Sequence, residues 1–111
     1  SDLEITSIQV VGGGVSIEAL GNYSLELRWK RGNIRVRPAH ADHRTRSLRV
    51  LLQEMRIPSW ERARIPMVYV CDQFVCMPGV VTEAKFAAAK NQPGVDFLLR
   101  DLRGFQGSGE F

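Results

Sequence analysis

The sequence predicts an α+β fold: a small mixed or antiparallel β-sheet, made of hairpins, packed with two short helices in a single domain. Three observations predict it. Apolar and polar residues alternate with period two through Leu25, Leu27 and Trp29 and again through Ile34 and Val36, the pattern of half-buried strands. Leu48, Leu51, Leu52 and Met55 fall at i, i+3, i+4 and i+7, one stripe of an α-helix. Two continuous apolar runs, residues 67–71 and 74–77, flank Asp72 and Gln73, as in a hairpin buried on both faces.

A length of 111 residues, 44% of them hydrophobic and 24% charged, fits one globular domain with a core of its own, expected over residues 1–103. No apolar run approaches about 20 residues, and no basic-then-apolar leader opens the chain, so neither a membrane span nor a secretion signal is expected. A cytoplasmic location follows as the default. Cys71 and Cys76 are too few for a disulfide scaffold and sit in apolar sequence, which predicts reduced, buried thiols.

From the N-terminus, residues 3–11 and 15–20 read as two short strands joined by Gly12-Gly13-Gly14 into a hairpin. The glycines are a turn and not a phosphate loop, because no Lys-Ser or Lys-Thr pair follows them at the required spacing. Residues 25–29 and 34–36 form a second hairpin around Arg31-Gly32-Asn33. Its apolar face carries Trp29 and Ile34 into the core, and its other face gathers Arg28, Lys30, Arg35 and Arg37. Like charges sharing a sheet face repel unless an anion meets them. Pro38 ends the strand.

Residues 39–44 are expected to be a loop holding His40 and His43. The pair lacks the further Cys or carboxylate ligands that zinc needs, so no metal is assigned. Both imidazoles can instead donate to phosphate or ribose beside the arginines. Thr45 or Ser47 caps the helix that carries the leucine stripe, and Arg44, Arg46 and Arg49 surround its first turn, where unpaired amides point outward. Ile57-Pro58 breaks this helix, and Ser59 is expected to cap a second one running through Trp60 to Arg64. Trp60 could stack on a base or sugar, but packing of such a tryptophan against the sheet is the favoured reading. Residues 82–90, rich in alanine, predict a further helical segment, and residues 95–99 a closing strand. Residues 104–111 end in the pattern that restriction-site cloning leaves and are expected to be an unstructured tail.

Charge carries the functional reading. Residues 28–64 hold 11 of the 15 Lys and Arg but 3 of the 12 Asp and Glu, a local net charge of +8 against −5 for the rest. Six of those arginines lie within residues 44–66, against two glutamates. Clustered arginine suits a polyanion, most simply nucleic acid, because the planar guanidinium can hold two phosphate oxygens at once. A solvated arginine-rich face would have the same composition. The candidate RNA-binding residues are Arg35, Arg37, Arg44, Arg46 and Arg49, with His40, His43, Lys30 and Arg62 as secondary ones. No nucleophile–base pair, metal cluster or paired carboxylates stand in a recognisable frame, so no catalytic residue is assigned.

Three segments carry a resemblance: LELRWKRGNIRVRP, HRTRSLRVLLQEMRIPSWERARIP and MVYVCDQFVCMPGVV, together spanning residues 25–81. They resemble the C-terminal domain of the bacterial tRNA(Ile)-lysidine synthetase family, the middle segment most specifically, with residues 95–99 similar to the family's closing strand. Members use ATP to attach lysine to the wobble cytidine of the isoleucine tRNA with a CAU anticodon. The resemblance implies that catalysis, ATP and lysine belong to a separate N-terminal domain, and that this chain, with no cofactor of its own, binds the acceptor-stem side of that tRNA. Its other implied partners are the remaining domains of the parent enzyme. A protein-interaction module, docking an acidic partner or those same domains through the arginine surface, is the alternative. Val50, where a basic residue is expected, and residues 82–90, which look inserted, depart from the family pattern.

Overall fold

The computed structural model describes residues 3–29, 32, 34–39 and 44–101. Lys30, His40, His43 and the 104–111 tail therefore lie outside the described residues. The order of elements is β1 (Leu3–Val11), β2 (Val15–Ser16), α1 (Ile17–Leu20), β3 (Leu25–Arg28), β4 (Arg35–Val36), β5 (Arg46–Ser47), α2 (Leu48–Glu54), α3 (Ser59–Arg62), β6 (Met67–Val70), β7 (Gln73–Met77), β8 (Val81–Thr82), a 3-10 turn at Ala84–Phe86, and β9 (Pro93–Asp101). The strands make three antiparallel sheets, β1-β9-β2, β3-β6-β7-β8 and the ribbon β4-β5. The predicted α+β class holds, with three short α-helices among the described residues.

The four-stranded sheet is the middle layer. Its predicted central hairpin is present, with Val70 opposite Gln73 and Tyr69 opposite Phe74. All four residues of β6 are buried, which is why the segment reads as a continuous apolar run. Met67 and Tyr69 join Val36, Leu48, Leu51, Leu52, Phe74 and Met77 in one core cluster on the α2 side, whereas Val68 and Val70 join Val15, Val75, Cys76 and Phe86 on the other. In β7 the alternation changes phase, because Val68 pairs with Cys76 while Tyr69 pairs with Phe74, leaving Val75 as an extra residue. This bulge puts both Val75 and Cys76 into the second cluster. Tyr69 and Phe74 meet edge to face with ring centroids 5.8 Å apart.

Both hairpins predicted nearer the N-terminus are replaced by longer-range pairings. β1 and β2 each pair with β9, from opposite sides. Gly12–Gly14 therefore carries the chain past the strand between them instead of turning it back. β3 pairs with β6, and β4 pairs with β5 across the loop that follows it. Arg28 and Arg35 accordingly belong to different sheets, so Arg28 does not share the face predicted for it with Arg35 and Arg37. Ile34 packs on the core as expected, but Trp29 is exposed at the end of the sheet's edge strand. Two-residue periodicity registers a strand's faces but is silent about its partner.

α2 buries Leu48, Leu51 and Leu52, and Ser47 caps it, its Oγ accepting from the Val50 amide at 3.4 Å. Met55 does not complete the stripe. The helix ends at Glu54, Arg56 takes a left-handed φ of 59°, and Met55 is left 47% exposed while Ile57 packs on the core. In α3 the cap position belongs to Pro58, whose carbonyl accepts from Glu61 and Arg62, and Ser59 is the first helical residue. Trp60 faces solvent, 73% exposed, contrary to the expected packing. Cys71 is likewise exposed, because it occupies the β6–β7 turn with a φ of 49°.

Residues 82–90 form no α-helix. Glu83 anchors the segment instead: its amide donates to the Val75 carbonyl and its carboxylate accepts from the Arg37 and Lys85 amides. Ala87 then bridges to Val15, and the Ala88 amide donates to the Gly14 carbonyl. Small side chains here allow backbones to approach closely, which outweighs their helix propensity. The closing strand is longer than the expected 95–99, running from Pro93 to Asp101.

Candidate nucleic-acid interface

The basic surface is built where the β4-β5 ribbon meets α2. Arg35 lies opposite Ser47, the residue that caps α2, and Val36 lies opposite Arg46. Cross-strand partners share a face. Arg46 therefore shares the face of the fully buried Val36, while Arg35 takes the other face and Arg37, two residues on, is exposed beside it. The ribbon holds Arg35 further through a 3.3 Å hydrogen bond from its Nη2 to the Thr45 carbonyl. Arg44 is exposed just before β5, and Arg49 is exposed in the first turn of α2.

Arg46 is occupied differently. Its Nη1 hydrogen-bonds the Glu54 carboxylate at the far end of α2, and its side chain is 24% exposed. The sequence sets Arg46 among the outward arginines, but the structure places it partly inside, bracing the helix along its length. Arg62 is also engaged in the fold, its Nε donating to the Ile57 carbonyl at 2.7 Å. That bond satisfies a backbone group between α2 and α3. Arg49, Arg62, Ser59 and Gly32 line a recess backed by Leu48 and Leu52, so Arg49 borders both the ribbon surface and the α3 surface.

Arg28 belongs to neither. Its Nη2 bridges Glu26 at 2.8 Å and Asp72 at 2.5 Å, and its guanidinium stacks 4.0 Å from the centre of the Tyr69 ring. Hydrogen bonds from Arg28 hold the Glu26 carboxyl below its usual range, and those same bonds raise the guanidinium further. Arginine at position 28 thus ties the edge strand to the β6–β7 turn. Period-two reading could not separate it from Arg35 and Arg37, since its acidic partner Asp72 lies 44 residues away. Trp60 takes the less favoured of its two expected places, at the surface and not against the sheet, because the neighbouring Ile57 and Ile65 already supply the apolar anchors of that turn. Among the described residues no cluster of three His, Cys, Asp or Glu side chains could hold a metal ion.

The fold is that of a known class of C-terminal domain. The solved "Crystal structure of TILS C-terminal domain" superposes with a TM-score of 0.66 and 21% identity, covering 93% of this chain and 87% of that one. The family model described as the TilS substrate C-terminal domain matches residues 25–99, and the chain belongs to that family. Among curated relatives, the tRNA(Ile)-lysidine synthase of Shewanella woodyi is 35% identical over 68 residues, covering 61% of this chain and 14% of that protein. The enzymes of the same name from Legionella pneumophila (strain Lens) and Coxiella burnetii are 34% and 33% identical, over 56% and 60% of this chain and 14% and 15% of theirs. The matched segment is thus about one-seventh of each relative's length. These findings confirm the resemblance read from residues 25–81.

Proposed function

We propose that this chain is a non-catalytic RNA-binding module of an ATP-dependent tRNA(Ile)-lysidine synthetase, holding the acceptor-stem side of the isoleucine tRNA on its arginine surface. The observation that carries the reading is the outward placement of Arg35, Arg37 and Arg49 around the β4-β5–α2 junction, in a chain of this family. A double-stranded stem hides its base edges in a deep, narrow groove, so such a surface reads phosphates, 2′-hydroxyls and shape. Little sequence preference is expected. Lysine transfer, with its ATP and lysine sites, belongs to the rest of the parent protein.

Titration of the chain with the isoleucine tRNA across a salt series tests the proposal. Log affinity should fall linearly with log salt, by about 0.7 to 0.9 for each phosphate neutralised. Binding that ignores salt, or a pull-down that captures the parent's other domains and no tRNA, would favour the protein-docking alternative.

A further inference from the structure

α3 is four residues long and lies between two prolines, Pro58 and Pro66. It buries none of its own residues; Ile57 before it and Ile65 after it make the apolar contacts that seat it on the core. Trp60 therefore contributes an indole that the fold does not use, 73% exposed. Arg56, Glu61 and Arg64, exposed and near it in the sequence, are charged. An apolar protein partner would find a poor match there, because the centres of protein interfaces are depleted of charge.

The residue before Trp60 is Ser59, which with Arg49 and Arg62 lines the recess described above. The hydrogen bond from Arg62 Nε to the Ile57 carbonyl fixes the position of that guanidinium. An exposed aromatic residue thus directly follows, in the chain, the serine that lines this recess together with Arg49 and Arg62. An unpaired nucleotide offers the complement to both, a base with an accessible π-face and a phosphate beside it. A base within a duplex does not, because its faces are covered by its neighbours.

The geometry points to Trp60 as a stacking platform for an unpaired nucleobase of the bound RNA, with the Arg49–Arg62–Ser59 recess taking the adjoining phosphate. This rests on the RNA-binding reading above and adds a non-duplex nucleotide to a surface otherwise suited to a stem.

The test uses the chain with Trp29→Phe, which leaves Trp60 as its one tryptophan, and two probes, the isoleucine tRNA and a blunt RNA duplex. Trp60 emission should be quenched on saturation with the tRNA and unchanged with the duplex. In the otherwise unaltered chain, Trp60→Ala should weaken tRNA binding at least about fivefold and leave duplex binding unchanged, while Trp60→Phe restores most of the loss. Unchanged emission on tRNA, equal quenching by the duplex, or a Trp60→Ala variant that binds tRNA like the parent would each overturn the assignment. If Trp60→Ala fails to fold, the emission and the Trp60→Phe affinity decide. Failure of the unsubstituted chain to bind either RNA at low salt would instead defeat the RNA-binding reading itself, and this inference with it.

Discussion

Arg46, on the strand before α2, is ion-paired with Glu54, the last residue of that helix. The pair braces a seven-residue helix, too short to be stable unaided in water. Arg46 and Arg49, three residues apart and alike in sequence, therefore act differently. Arg46→Glu sets two carboxylates against each other and should lower stability by about 0.5 to 1 kcal/mol, a small effect because Glu54 is 54% exposed. Arg49→Glu should leave stability within about 0.5 kcal/mol and weaken RNA binding. Thermal unfolding of the two single variants separates these roles, and equal losses of stability would refute the distinction.

Arg35 and Arg37 lie on the outward face of the ribbon, and Val36 between them is fully buried. Replacing both arginines by glutamate should leave the far-ultraviolet spectrum and the unfolding midpoint close to the parent's. The salt dependence of tRNA affinity should become shallower by about 0.7 to 0.9 for each phosphate that is no longer neutralised. An unchanged slope would mean that neither side chain meets the backbone of the RNA.

What the sequence made legible was local. Leu48, Leu51 and Leu52 of the stripe, the Ser47 cap and the β6-β7 hairpin each depend on residues a few positions apart, and each formed, the hairpin with its turn at Cys71-Asp72, one residue earlier than read. What escaped depends on distant partners. β1 and β2 look like a hairpin because β9, the strand inserted between them, begins more than 75 residues after β2 ends. Arg28 looks like Arg35 until Asp72 is brought beside it. The alanines near 87 read as helix because the glycine-lined crossing they pack against lies far off in the chain. Trp60 was misplaced for a related reason: burial of an aromatic near a short helix is decided by which neighbours have already filled the core, and here Ile57 and Ile65 had.

The crossing of Gly12–Gly14 over β9 yields a prediction confined to glycine. A Cβ on Gly94 would stand 2.1 Å from the Gly13 carbonyl oxygen and 3.1 Å from the Ala88 Cβ, whereas one on Gly13 would meet nothing within 4 Å. Gly94→Ala should cost about 1 to 3 kcal/mol, since backbone must shift to admit the methyl group. Gly13→Ala should fall within about 0.5 kcal/mol of the parent. Denaturant unfolding of both variants checks the contrast, and a tolerated Gly94→Ala would show that the two strands flanking β9 are less closely threaded.

The two thiols should behave as opposites. Cys71 is exposed at the hairpin turn and should react with a thiol probe in the native chain, whereas Cys76, 3% exposed, should react only on unfolding. Burial, with Asp96 nearby adding a smaller push, raises the Cys76 thiol from its ordinary value near 9.0 to about 12. Between those values the folded chain keeps a proton that the unfolded chain releases. Stability conferred by the neutral buried thiol is therefore fully present below about pH 9 and declines as pH rises toward 12, by at most about 1.4 kcal/mol per pH unit. Other groups titrate in the same range, so the difference between the parent and Cys76→Ala is the quantity to follow. The parent should lose stability more steeply than the variant above pH 9, and parallel curves would show that this thiol ionises inside the fold without penalty.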